Sequence, residues 1–131
     1  MATVTLLSDE EVSADALAVF DDIRQTRGTD FINNFWRALA HDPDLLRATW
    51  ERLKVVMGPG ALDPLVKEML YIAVSATNAC DYCAHSHTAS ARAKGMTPNM
   101  YAELLAVVGM ANQTNALANA LRVPVDEAFE A

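Results

Sequence analysis

Three times in this chain of 131 residues, a side chain that caps helices is followed at once by proline: Asp42-Pro43, Asp63-Pro64 and Thr97-Pro98. An Asp or Thr oxygen accepts from the free N–H groups of a first helical turn. Proline in that turn gives up only an N–H that has no intrahelical partner. The three pairs predict helices over 43–57, 64–78 and 98–110, with the Gly58-Pro59-Gly60 break separating the first two. Ser8 and Glu11 have capping-box spacing, and Leu17, Phe20 and Ile23 carry an apolar stripe onward, which predicts a helix over 9–26 ended by Gly28. Phe31, Ile32, Phe35, Trp36 and Leu39 predict a short second helix reaching about 40. A helix over 80–93 should place Gly95 in a left-handed conformation just beyond it, and a last short helix over 113–121 precedes Pro124. No stretch sustains the apolar–polar alternation of a strand, so the expected fold is all-α, a compact bundle of about six to seven helices. No repeat, low-complexity segment or long linker divides the chain, and 1–131 reads as a single domain.

Two of these helices are apolar nearly all round. Leu65, Val66, Met69, Leu70, Ile72 and Val74 leave the first little polar face, and Leu104, Leu105, Val107, Val108 and Met110 do the same for the second. With 52% hydrophobic residues, a monomer this small cannot easily cover both, so a homo-oligomer is expected. Ten Lys and Arg against 17 Asp and Glu give a net charge of -7, which offers no basic face for nucleic acid or an anionic membrane. No apolar run reaches the ~20 residues that span a bilayer, and the opening residues lack the basic start of a signal peptide. A soluble, cytoplasmic protein is expected.

The chemistry-bearing residues concentrate in Cys80-Asp81-Tyr82-Cys83-Ala84-His85-Ser86-His87, which holds both cysteines and two of the three histidines. A bridge across two intervening residues closes almost no loop, so this pair serves chemistry or metal binding rather than stapling. On a helix advancing about 100° per residue, Cys83 and His87 fall about 300° and 340° from Cys80 and share its face, whereas His85 falls near 140°. A four-ligand zinc site that includes His85 therefore fails on geometry. His87, one turn after Cys83, can take its proton directly or through a water, and Cys80 sits where free N–H groups and the helix dipole favour a thiolate. One activated sulfur and one resolving sulfur make a redox dithiol, favoured over a structural metal site, although Cys80, Cys83, His87 and one carboxylate remain an alternative ligand set. Tyr82 falls near 200° and is most simply a packing residue with a polar tip.

Glu68 lies mid-helix among Leu65, Met69 and Ile72, twelve residues before Cys80. In an apolar setting its carboxyl pKa would be raised toward the range useful for proton transfer; alternatively it shares a solvated face with Lys67. Trp36, Trp50, Phe31 and Phe35 sit at helical spacings and read as core or interface. His41 precedes a helix cap and carries no assignable role.

Glu68, Cys80-x-x-Cys83 and His87, at these spacings on an all-helical chain, resemble the AhpD-like alkylhydroperoxidases of the carboxymuconolactone decarboxylase superfamily, over about residues 43–115. The resemblance implies a homo-oligomeric thiol peroxidase or disulfide reductase that reduces organic hydroperoxides, and no cofactor or metal is expected. It further implies Cys83 as the peroxidatic thiol, Cys80 as the resolving thiol, His87 as the base and Glu68 as the group that orients and buffers it. A dithiol or lipoyl-bearing protein would be the reductant. The residue before the second cysteine, histidine in the best-described members, is Tyr82 here, a candidate wall of the site. The superfamily's namesake decarboxylases lack the cysteine pair, so lactone decarboxylation is disfavoured. A non-catalytic metal-binding or thiol-sensing module on the same fold is the alternative reading.

Overall fold

The computed structural model describes residues 1–130. Among them it contains six α-helices, one 3-10 turn and no strand. The architecture is all-α, as expected. The chain divides after Gly58 into two compact units, Met1–Gly58 and the residues from Pro59 onward. Gly58 ends its helix in an extended conformation, and a Cβ on it would lie 2.8 Å from the Lys54 carbonyl oxygen, so the position has no room for a side chain.

The first unit holds α1 (Ala14–Arg27), α2 (Asn34–Leu39) and α3 (Pro43–Met57). The expected start of α1 at residue 9 is corrected. Ser8 and Glu11 close one isolated turn, with the Ser8 N–H donating to Glu11 Oε2 at 2.8 Å and the Val12 N–H to the Ser8 carbonyl at 3.2 Å. The helix itself begins after Ser13, whose Oγ accepts from the Ala16 N–H at 3.2 Å. A capping box is a local device and closes a turn whether or not the chain beyond it stays helical. Helix α2 starts later than expected, at Asn34, with Phe31 and Phe35 facing outward and Ile32 and Trp36 turned inward. Gly28, at φ 65°, ends α1 as anticipated.

The core of this unit joins Phe20 and Ile23 of α1, Trp36 of α2, and Leu46 and Trp50 of α3. Trp36 and Trp50 meet edge to face with ring centroids 5.6 Å apart. Burial of each large side chain contributes about 2 kcal/mol. The Trp50 indole N–H is satisfied by Asp22 at 2.6 Å, and His41 Nε2 lies 2.8 Å from the Thr5 carbonyl, which ties the opening segment to the α2–α3 corner.

The second unit holds α4 (Pro64–Thr77), α5 (Asp81–Ala93), α6 (Pro98–Leu121) and the 3-10 turn Glu127–Phe129. The Asp63 and Thr97 caps form as expected: Asp63 Oδ1 accepts from the Leu65 N–H at 2.8 Å, and Thr97 Oγ1 from the Met100 N–H at 3.1 Å. Helix α4 packs on both α5 and α6 around Ile72, Ala91, Met96 and Leu104. Gly95 adopts φ 102° beyond α5.

The two helices expected over 98–110 and 113–121 are one continuous helix of 24 residues. Asn112 and Thr114 are weaker helix formers, not breakers, and Gln113 between them is a good one. The Thr114 hydroxyl donates to the Ala111 carbonyl at 3.1 Å and so stays within the helix. From Gly109 to Glu130 every residue is exposed in the single chain, Met110, Leu117 and Leu121 among them. Among the described residues no helix is long and apolar enough to cross a membrane.

Candidate active site

The site begins where α4 stops. Ala79 takes a left-handed conformation at φ 53°, and the Cys80 N–H reaches back to the Ser75 carbonyl at 3.0 Å while the Ala79 N–H reaches Ala76 O at 3.4 Å. This is the Schellman arrangement, which satisfies the last carbonyls of a helix by a reversal of the chain. Alanine pays a steric cost there that glycine would not. The reversal delivers Cys80 to the start of α5, where it serves as the N-cap and its Sγ accepts from the Cys83 N–H at 3.3 Å.

Cys80 and Cys83 are joined in a disulfide with Cα atoms 5.4 Å apart. Both are half-buried. The sulfur of Cys80 thus rests against free N–H groups at a helix N-terminus, a setting that stabilises negative charge on sulfur.

One turn beyond Cys83, His87 turns toward α4. Its Nδ1 lies 2.7 Å from Glu68 Oε2, and its ring stacks on Tyr71 with centroids 3.6 Å apart and an interplanar angle of 18°. An ionised carboxylate only accepts hydrogen bonds, so Nδ1 carries a hydrogen, and whenever the imidazole is neutral Nε2 is the nitrogen with the free lone pair. The Glu68 residue is 5% exposed, which decides its two sequence readings in favour of a buried group.

The expected direction of the Glu68 pKa is corrected. Burial pushes it up, but the hydrogen bonds from His87 and Lys94, together with their charges, outweigh burial and hold the carboxyl below its ordinary value. Lys94 Nζ lies 3.0 Å from Oε1, so each carboxylate oxygen has its own donor.

Lys94 and Tyr71 were not singled out from the sequence, although their spacings carried a signal. Lys94 lies seven residues after His87, two turns along the same face, and Tyr71 lies three after Glu68. His85 is exposed on another side of α5, where it lines a cavity of about 390 Å³ with Thr88, Arg92 and Tyr101. Tyr82 is 43% exposed. Among the described residues no cluster of three or more His, Cys, Asp and Glu side chains is disposed to hold a metal ion.

Chemically, the arrangement offers a two-electron couple at the disulfide and, one turn away, an imidazole whose orientation is set by a buried, ionised carboxylate. Thiol–disulfide exchange uses the first element and proton transfer the second.

The model of the carboxymuconolactone decarboxylase family matches residues 43–126, from the start of α3 to beyond α6. No curated protein matches the chain. A crystal structure of the alkylhydroperoxidase AhpD core from Rhodospirillum rubrum is 64% identical, covers 100% of this chain and 98% of its own, and superposes with a TM-score of 0.95. The chain belongs to the carboxymuconolactone decarboxylase family, and within it to the AhpD-like proteins.

Proposed function

We propose that the protein is a thiol-dependent peroxidase that reduces organic hydroperoxides with its Cys80/Cys83 dithiol. The observation that carries this reading is the Cys80–Cys83 disulfide on the helix that also presents His87, itself bonded to buried Glu68. Likeness to the alkylhydroperoxidase from Rhodospirillum rubrum supports the same chemistry.

In the reduced protein His87 Nε2 takes the Cys83 proton, directly or through water. The Cys83 thiolate attacks the distal peroxide oxygen, the O–O bond breaks, and the alkoxide leaves with the proton returned by His87 as an alcohol. Cys83 is then a sulfenic acid. The Cys80 sulfur attacks it, forming the S–S bond and releasing water. Dithiol and hydroperoxide become disulfide, alcohol and water, a balanced two-electron exchange. The Cys83 N–H beside Cys80 Sγ stabilises the resolving thiolate as it forms, and Glu68 keeps the imidazole oriented throughout.

Turnover needs an external dithiol to reopen the bridge, and a dihydrolipoyl-bearing or similar dithiol protein fits by exchange chemistry. Such a cycle belongs in a reducing compartment, which favours the cytoplasm. The exposed stripe Val66, Leu70 and Val74 on α4, with Leu105, Met110 and Leu117 on α6, favours a homo-oligomer in which those faces are covered.

The test is titration of the reduced protein with cumene hydroperoxide. One equivalent should remove two thiols, and Cys83→Ser should abolish the reaction. Wild-type peroxide consumption by Cys83→Ser would sink the reading, and stoichiometric zinc that blocks the thiols would favour a metal-binding module instead.

A further inference from the structure

We propose that Lys94 is a positioning residue of this site: its ammonium group holds the Glu68 carboxylate in the charged form and orientation that pins the His87 imidazole in a single tautomer. The inference deepens the peroxidase reading and rests on it for its rate readout alone.

Lys94 is the residue that ends α5, and its backbone N–H donates to the Ser90 and Ala91 carbonyls, each at 3.1 Å. Its backbone is therefore held by the helix that carries His87. Seven residues separate the two, so both side chains leave the same face of α5 and converge on one carboxylate of α4. His87 Nδ1 takes Oε2 at 2.7 Å and Lys94 Nζ takes Oε1 at 3.0 Å.

A carboxylate only 5% exposed is costly to keep charged without a counter-charge. When His87 is in its neutral, base form it offers Glu68 a hydrogen bond and no charge, and in that form the counter-charge comes from Lys94. If Glu68 were protonated it would donate as well as accept and would no longer require the hydrogen on Nδ1. The imidazole would then populate both tautomers, and Nε2 would be a base only part of the time. Glu68 and Tyr71 of α4 contact the imidazole, Lys94 on its own helix contacts Glu68, and Cys83, a thiol once reduced, lies one turn before His87. Helix α6, which packs on α4, carries Tyr101 and Glu103.

The experiment uses the full-length reduced protein with ¹⁵N-labelled histidine. Two-bond nitrogen–proton spectra of His87 are recorded for wild type, Lys94→Met, Lys94→Gln and Lys94→Arg. The rate of dithiol oxidation by cumene hydroperoxide is followed against pH. Wild type should show one tautomer with hydrogen on Nδ1. The Met and Gln variants should show both tautomers, an acid limb of the rate profile moved to higher pH, and a rate loss on the order of tenfold, as for other partners that orient a functional imidazole. Lys94→Arg should restore all three, which a purely structural role for the lysine stem would not require.

A wild-type spectrum with hydrogen on Nε2 would overturn the proposal without any variant. An unchanged tautomer and pH profile in either folded neutral variant would do the same. The spectra need no peroxide, so tautomer changes in a protein that consumes no peroxide would defeat the peroxidase reading and leave the role of Lys94 standing.

Discussion

His87 Nδ1 lies 2.7 Å from Glu68 Oε2 and joins two helices across 19 residues of chain. Because the carboxylate is buried and its other oxygen is taken by Lys94, the contact fixes which imidazole nitrogen faces Glu68, and the second nitrogen is the one the proposed mechanism uses as base. Tyr71 stacks on one face of the ring. The groups that contact the imidazole or its carboxylate thus come from two places, α4 and the end of α5.

Replacing the proposed base tests the proposed relay directly. His87→Asn should slow disulfide formation from cumene hydroperoxide by roughly 10²–10⁴-fold, the usual contribution of a positioned general base. Glu68→Gln should cost less, because the imidazole survives and loses only its orientation. Rapid-quench alkylation of the remaining thiols measures both rates, and unchanged oxidation in His87→Asn would remove the imidazole from the mechanism.

The Glu68 carboxyl makes stability depend on pH in a defined direction. Its folded pKa lies below its ordinary value of 4.5, so its contribution is fully present above that value and is lost as pH falls through the lower folded one. Glu68→Gln cannot titrate there. Urea midpoints compared between neutral pH and pH about 3 should therefore show wild type losing more stability than Glu68→Gln. Parallel losses in the two proteins would contradict the ion pairs at this carboxylate.

Ala79 holds a left-handed conformation at φ 53° immediately before the disulfide. For alanine that conformation costs about 1–2 kcal/mol, and glycine returns part of the gain through its more mobile unfolded chain. Ala79→Gly should stabilise the protein by about 0.5–1 kcal/mol, read as a raised urea midpoint with an unchanged slope. Destabilisation would show that the turn is held by contacts of the alanine methyl.

His85 serves as the contrast to His87. It is exposed and lines a cavity with Arg92 and Tyr101, away from the Glu68 ion pairs. His85→Ala should leave the rate of peroxide-driven disulfide formation within roughly twofold of wild type, as for an ordinary surface substitution. A loss comparable to that of His87→Asn would place a second imidazole in the proton path.

The helix starts were legible because each cap is closed within three residues: Asp42 to Leu45, Asp63 to Leu65 and Thr97 to Met100. The same locality misled at Ser8, whose box closes a turn that the chain then abandons, and the break expected between 110 and 113 is absent because no Pro or Gly there interrupts α6. Cys80, Cys83 and His87 were legible as a group because one helix carries them and its period alone puts them on a common face.

What the sequence by itself determined is therefore what short-range chemistry determines: an all-helical chain, most of its helix starts, and a cysteine pair one turn from a histidine. Only the tertiary structure decided that Glu68 is buried, that its pKa falls rather than rises, and that Tyr71 and Lys94 belong to the site. Burial and ion pairing depend on which faces of α4 and α5 meet. The Lys94–Glu68 contact spans 26 residues of sequence. Spacing places each side chain on its own helix, but the balance between desolvation and counter-charge exists only once the two helices are packed together.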